Sequence, residues 1–242
     1  MRPVRRGPSP QEAEFEPYAD ARPDLVSRLG PYCSYCERRI PTMLAVEHIQ
    51  AKSIHPALIG SWRNFVLGCS NCNSSKLAKN PALSEVFIPD RDNTAVLFDY
   101  RQDGRLEIRQ GLAASVRAVA TQTLTLTGLD KVPAMTLDAN ERQVALDRVA
   151  QRMECWLYAE DARVEIEAQP GNEGLRQTVV KLALSSGFFS VWMRAFEHDL
   201  DMRLRFIHAF PGTAASGCFD LQTAEPVSPA PNPDHLPYGG KI

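Results

Sequence analysis

Two C-x2-C pairs, Cys33/Cys36 and Cys69/Cys72, enclose Glu47-His48 and Asn64 and run directly into Asn73. Four thiolates in two close pairs suit one tetrahedral zinc ion, whose function would be to hold the intervening chain together. The polar residues between and after the pairs are of the types a second, catalytic metal centre needs. Histidine suits proton abstraction from water, because its unperturbed pKa of about 6.5 leaves much of it neutral at cellular pH. His48 is therefore the candidate general base for phosphodiester hydrolysis. Glu47, its neighbour, points to the opposite side of a regular strand, so reaching the same centre requires a twist or bulge at the strand end. Lys76 follows Asn73 by one helical turn and is a candidate phosphate contact, with Lys52 and Arg63 beside it.

These side chains need a frame. Leu25, Val26 and Leu29 predict a short helix over 21–29, stopped by Gly30-Pro31. A strand over 43–49, a loop over 50–61 broken by Pro56 and Gly60, a strand over 65–69 and a helix over 71–79 together make a compact ββα unit. Asp103-Gly104 predicts a hairpin turn between short strands at 95–100 and 106–108. Helices follow at 112–125, from the capping pair Asp138/Glu141 to about Ala159, around Leu175–Ala183, and over 189–210, where Pro211-Gly212 ends the last. Trp156, Phe189, Trp192 and Phe196 read as core aromatics.

The organisation expected is an extended arm over 1–20, a metal module with its hairpin over 21–110, a helical region over 111–212 and a wrapping or loose tail over 213–242. The fold class is α+β. Asn64 and Asn73 also suit turns and helix caps, and His55 before Pro56 reads as a loop residue.

A net charge of −2 conceals an asymmetry: residues 1–79 hold 11 Lys/Arg against 7 Asp/Glu, and the remainder holds 16 against 22. Arg38, Arg39 and Lys79 add to the basic scatter around the cysteines, which suits a polyanion, while the acidic second part suits a protein partner. No run reaches the roughly 20 apolar residues of a membrane span, and no apolar stretch follows the first ten residues as a secretory signal would. A cytoplasmic location is the expectation, and in a reducing compartment the paired cysteines are better explained by metal than by disulfides.

The order C-x2-C, Glu-His, Asn, C-x2-C-Asn with Lys76 following resembles the HNH endonucleases, a family with a ββα-metal fold and, in many members, a cysteine-ligated zinc. The match covers about Tyr32 to Lys79. Asn73 stands where the family name has its last histidine, and Glu47 precedes His48 where many members have Asp or His. The resemblance implies that the Glu47 carboxylate and the Asn73 amide oxygen bind Mg2+ or Mn2+, and that Asn64 pins the loop and orients His48. Met1-Arg2-Pro3-Val4, Tyr32-Cys33-Ser34-Tyr35-Cys36-Glu37 and Trp62-Arg63-Asn64 further resemble a bacterial group of stand-alone HNH proteins that includes the nuclease subunit of Septu-type antiphage defence. That likeness implies a DNA nuclease paired with an ABC-like ATPase. The alternative from a different class is a zinc module that binds DNA or protein without cutting it.

Overall fold

The structure, a computed structural model, describes residues 1–42, 44–77 and 79–242. Met43 and Ala78, included in the expected first strand and in the expected helix after the second cysteine pair, lie outside the described residues.

Helix α1 (Arg22–Leu29) starts on Pro23, buries Leu25 and Leu29, and stops at Gly30, whose φ is +74°. Strands β1 (Ala45–His48) and β2 (Phe65–Gly68) pair antiparallel, with Glu47 opposite Val66 and His48 opposite Phe65. Helix α2 (Ser70–Lys76) follows immediately, so strand, loop, strand and helix form the ββα unit read from the sequence. The pairing of β1 runs in register across all four residues, so of the twist or bulge considered for Glu47 no bulge is present.

Strands β3 (Phe98–Tyr100) and β4 (Leu106–Ile108) form a second two-stranded sheet. Gly104 in its turn has φ +74°, and a Cβ there would lie 2.4 Å from the Val149 carbonyl oxygen. Only glycine lets the turn approach the next region so closely. That region is helical: α3 (Ala114–Thr127), α4 (Ala139–Ala168), α5 (Glu173–Ser186), α6 (Phe189–Ala195) and α7 (Leu200–Ala209). Asp138 caps α4 by accepting from the Glu141 amide at 2.8 Å, as the capping pair predicts. The helix runs past Ala159 because Ala162 and Ile166 continue its buried face.

Two expectations are corrected, and one of two alternatives is decided. The single last helix over 189–210 is two helices, because Asp199 accepts from the Met202 amide and caps a new start, held in place by Arg176 at 2.9 Å. Residues 1–20 do not form an extended arm throughout: Met1, Arg2, Val4 and Arg6 are buried. Arg2 donates to the Leu29 and Pro211 carbonyls, and Arg6 to Asp90 and to the Arg63 and Phe65 carbonyls, so both guanidiniums are satisfied inside. The tail over 213–242 wraps and is not loose, since Asn93 donates to the Cys218 and Val227 carbonyls at 2.7 and 2.8 Å.

One apolar cluster joins the ββα unit to the helices, with Phe65, Val66, Leu67, Trp192, Phe196 and Phe206 inside it. Among the described residues no helix is long and apolar enough to cross a membrane.

Candidate active site

The four cysteines converge. All four Sγ atoms lie within 4.8 Å of one another, and Cys36 and Cys69 are 3.7 Å apart. Zinc–sulfur bonds of about 2.3 Å in a tetrahedron put sulfur atoms about 3.8 Å apart, so the cluster fits one zinc ion. Burial pushes the Cys33 thiol well up; the Cys72 thiol is raised too, its bond with Cys33 outweighed by those with Cys36 and Cys69 and by burial, an opposition to ionisation that a bound cation relieves. From the far side, Arg148 of α4 donates to Cys72 Sγ at 3.4 Å and to the Asn71 carbonyl at 3.0 Å. The cysteines were legible from spacing; Arg148 was not, because it lies 76 residues away from Cys72 and signals only as a helical arginine.

Glu47, Asn73 and Lys76 meet around Gly68. A Cβ at position 68 would lie 2.6 Å from Asn73 Oδ1 and 2.9 Å from Glu47 Cβ, so the glycine is what lets β1 and α2 bring these two side chains to one place. Asn73 Oδ1 is buried and accepts no hydrogen bond. Such an orphan oxygen costs free energy unless something electropositive meets it. The Glu47 side chain packs against the same glycine, its Cγ 3.3 Å from that Cβ position; an amide oxygen and a carboxylate are donor types that hard divalent cations take.

Lys76 was expected at a phosphate, and its position corrects that reading. The side chain is 3% exposed; its ammonium lies 3.0 Å from Glu47 Oε1 and donates to the His48 carbonyl at 2.7 Å. An ammonium so enclosed neutralises Glu47 and does not reach out to solvent. Burial raises the Glu47 pKa, and Lys76 opposes that shift without cancelling it.

His48 is held by its own set of contacts. Its Nε2 lies 2.9 Å from the Ile59 carbonyl oxygen, and its ring packs edge-on against Tyr18 and Phe65. A carbonyl only accepts, so Nε2 carries the proton and Nδ1 holds the lone pair of the neutral ring. Burial lowers the His48 pKa, partly opposed by the Ile59 bond. Asn64 holds this arrangement in place: its Oδ1 accepts from the Gln50 amide at 2.8 Å and its Nδ2 donates to the Gln50 carbonyl at 3.0 Å. That pair of bonds closes the loop whose Ile59 carbonyl orients His48. Lys76 links the two neighbours, pairing with the Glu47 carboxylate and donating to the His48 carbonyl.

Lys52 is exposed, its ammonium 3.0 Å from the Tyr18 hydroxyl and over the Tyr18 ring, and Arg63 is exposed beside Asn64. The largest cleft, about 870 Å3, shares no lining residue with this site; it lies among Tyr100, Trp156, Arg176 and Glu197.

The cysteine cluster and the ββα frame lie within a stretch similar to a known family. Residues 33–79 match the HNH endonuclease family model. The HNH segment therefore spans both cysteine pairs, Glu47-His48, Asn64, Asn73 and Lys76. Over 157 residues the chain is also 26% identical to the Septu protein PtuB of Bacillus thuringiensis, a stretch covering 58% of this chain and 60% of that protein. The relative is matched over less than two thirds of its length.

Proposed function

We propose that this protein is a divalent-metal-dependent endonuclease that hydrolyses DNA. The observation that carries this reading is Asn73 Oδ1, buried without a hydrogen-bond donor beside Gly68 and the Glu47 side chain, inside a segment that matches the HNH endonucleases. Glu47 and Asn73 would hold Mg2+ or Mn2+, which when bound supplies positive charge to the scissile phosphate and leaving oxygen. His48 takes the proton of the attacking water on Nδ1, while the Ile59 carbonyl fixes its tautomer and Asn64, bonded to Gln50, closes the loop that carries Ile59. Its lowered pKa keeps the imidazole neutral. Lys52 and Arg63, both exposed on the same unit, bind flanking phosphates. Zinc held by Cys33, Cys36, Cys69 and Cys72 keeps the unit folded.

The likeness to Septu protein PtuB supports a place in a prokaryotic antiphage defence complex; a cytoplasmic location and an ABC-like ATPase partner belong to the same proposal. The domain reading that goes with this is a nuclease module over 21–110 set against a helical region over 111–212.

The test is plasmid cleavage by the purified chain and by His48→Ala with Mg2+, Mn2+ or EDTA, alone and with an ABC-like ATPase partner supplied. Loss of a general base costs about 100- to 10,000-fold in rate. Cleavage by wild type only, abolished by EDTA, supports the reading. A folded His48→Ala protein with full activity overturns the mechanism, and DNA binding without cleavage under every condition favours a non-catalytic zinc module.

A further inference from the structure

Helix α4 is apolar on two opposite faces. Its inner face, with Ala145, Cys155, Ala159, Ala162 and Ile166, is buried. On the outside, Leu146, Met153, Leu157 and Val164 are 49%, 43%, 66% and 53% exposed, and Ala150 is exposed between them. At 3.6 residues per turn these five positions fall within a sector of roughly 60°, a narrow stripe about 27 Å long. Scattered surface leucines are ordinary; a straight row of them along a 30-residue helix is the pattern of a helix that another helix covers.

Charge says what covers it. Asp147, Glu154, Asp161 and Glu165 run along one border of the stripe. The nearest outward cation, Arg163, is taken by Glu160 and Glu167, and among the described residues none of the four border carboxylates forms an ion pair. The row would repel nucleic acid. A second copy laid antiparallel would bring the same acidic edge against itself, which like charges oppose. A partner carrying an apolar ridge with Lys or Arg along one edge meets both features.

We propose that the outer face of α4 is a docking surface for a basic amphipathic helix of a partner protein. This inference does not depend on whether the chain cuts DNA. It has a mechanical consequence all the same, because Arg148 on the inner side of α4 bonds the Asn71 carbonyl and so holds the helix that carries Asn73.

The probe is a labelled 22-residue Leu/Lys peptide whose leucines form one helical stripe, followed by fluorescence anisotropy against the full chain. Controls are a scrambled peptide of the same composition and a Leu/Glu version of the striped one. Striped Leu/Lys peptide should bind, and Met153→Gln/Leu157→Gln should weaken it at least tenfold with an unchanged melting temperature. Asp147→Asn/Glu154→Gln/Asp161→Asn should weaken it and flatten its salt dependence. Equal binding of the scrambled or Leu/Glu peptide, or unchanged affinity in both variants, overturns the proposal. So does a wild-type dimer in sedimentation that the Met153/Leu157 variant abolishes, since the occupant would then be a second copy. Because no cleavage is measured, failure here is distinct from failure of the nuclease reading.

Discussion

The Lys76 ammonium sits 3.0 Å from Glu47 Oε1, with both side chains shielded from solvent. Removing one member of a buried ion pair strands the other, at a cost of about 3–5 kcal/mol. Lys76→Met is therefore expected to lower stability by that order, read by urea denaturation. Lys76→Met/Glu47→Gln should recover much of it. The slope of DNA affinity against salt should stay at the wild-type value in Lys76→Met and fall by about one unit in Lys52→Ala, the exposed lysine. A reduced slope for Lys76→Met would mean that the ammonium swings out to phosphate after all.

Gly68→Ala probes the approach of β1 to α2. The new methyl would lie 2.6 Å from Asn73 Oδ1, so the amide must move away from Glu47. The divalent-ion concentration for half-maximal cleavage should rise about 10- to 100-fold, as when the support of a metal ligand is lost. Unchanged metal dependence in a folded Gly68→Ala protein would remove Asn73 from the ligand set.

Zinc loss should be felt beyond the knuckles. Structural zinc contributes about 10–16 kcal/mol of apparent binding free energy in small zinc peptides. Because Arg148 bonds Cys72 and Asn71, and one apolar cluster joins the ββα unit to the helices, Cys33→Ser or Cys72→Ser should lower the thermal midpoint of the helical signal as well as expose residues 33–79 to protease. One zinc per chain is expected by metal analysis. A helical melt unchanged in Cys33→Ser would show that the two parts are energetically separate.

Asp90 gives the chain a pH dependence. Burial pushes its carboxyl up, but Arg91 and Arg6, at 2.8 and 2.6 Å, more than offset this and hold it below the usual range. The unfolded chain, with its carboxyl near the ordinary value of about 3.9, binds the proton more readily. Stability from this group is therefore complete above about pH 4 and is lost as pH falls towards the depressed folded pKa. Asp90→Asn should cost about 3–5 kcal/mol at neutral pH by stranding two buried guanidiniums. It should also flatten the loss of stability below pH 4, measured by denaturant midpoint against pH; an equally steep acid limb would assign it to another carboxylate.

Much of the candidate site could be read from residue types at short range. The C-x2-C spacing, Glu47-His48, Asn64 and Asn73 lie on one ββα unit whose strand, loop and helix follow from local pattern and turn chemistry, and the structure brings the four cysteines together as their spacing suggests. Tertiary packing decided the rest. Whether Lys76 faces solvent or Glu47 depends on the approach of α2 to β1, which no spacing encodes. Arg2 and Arg6 look like solvated charges of an arm because a lone arginine in a Pro-rich stretch has no local partner; their partners, Pro211 and Asp90, are distant in sequence. The division of the last helix turned on Asp199 capping α7 with Arg176 beside it, a contact between separate helices. Local periodicity and ligand spacing are properties of the chain itself, whereas the partner of a buried charge is chosen by whichever distant backbone or side chain the closed core puts against it.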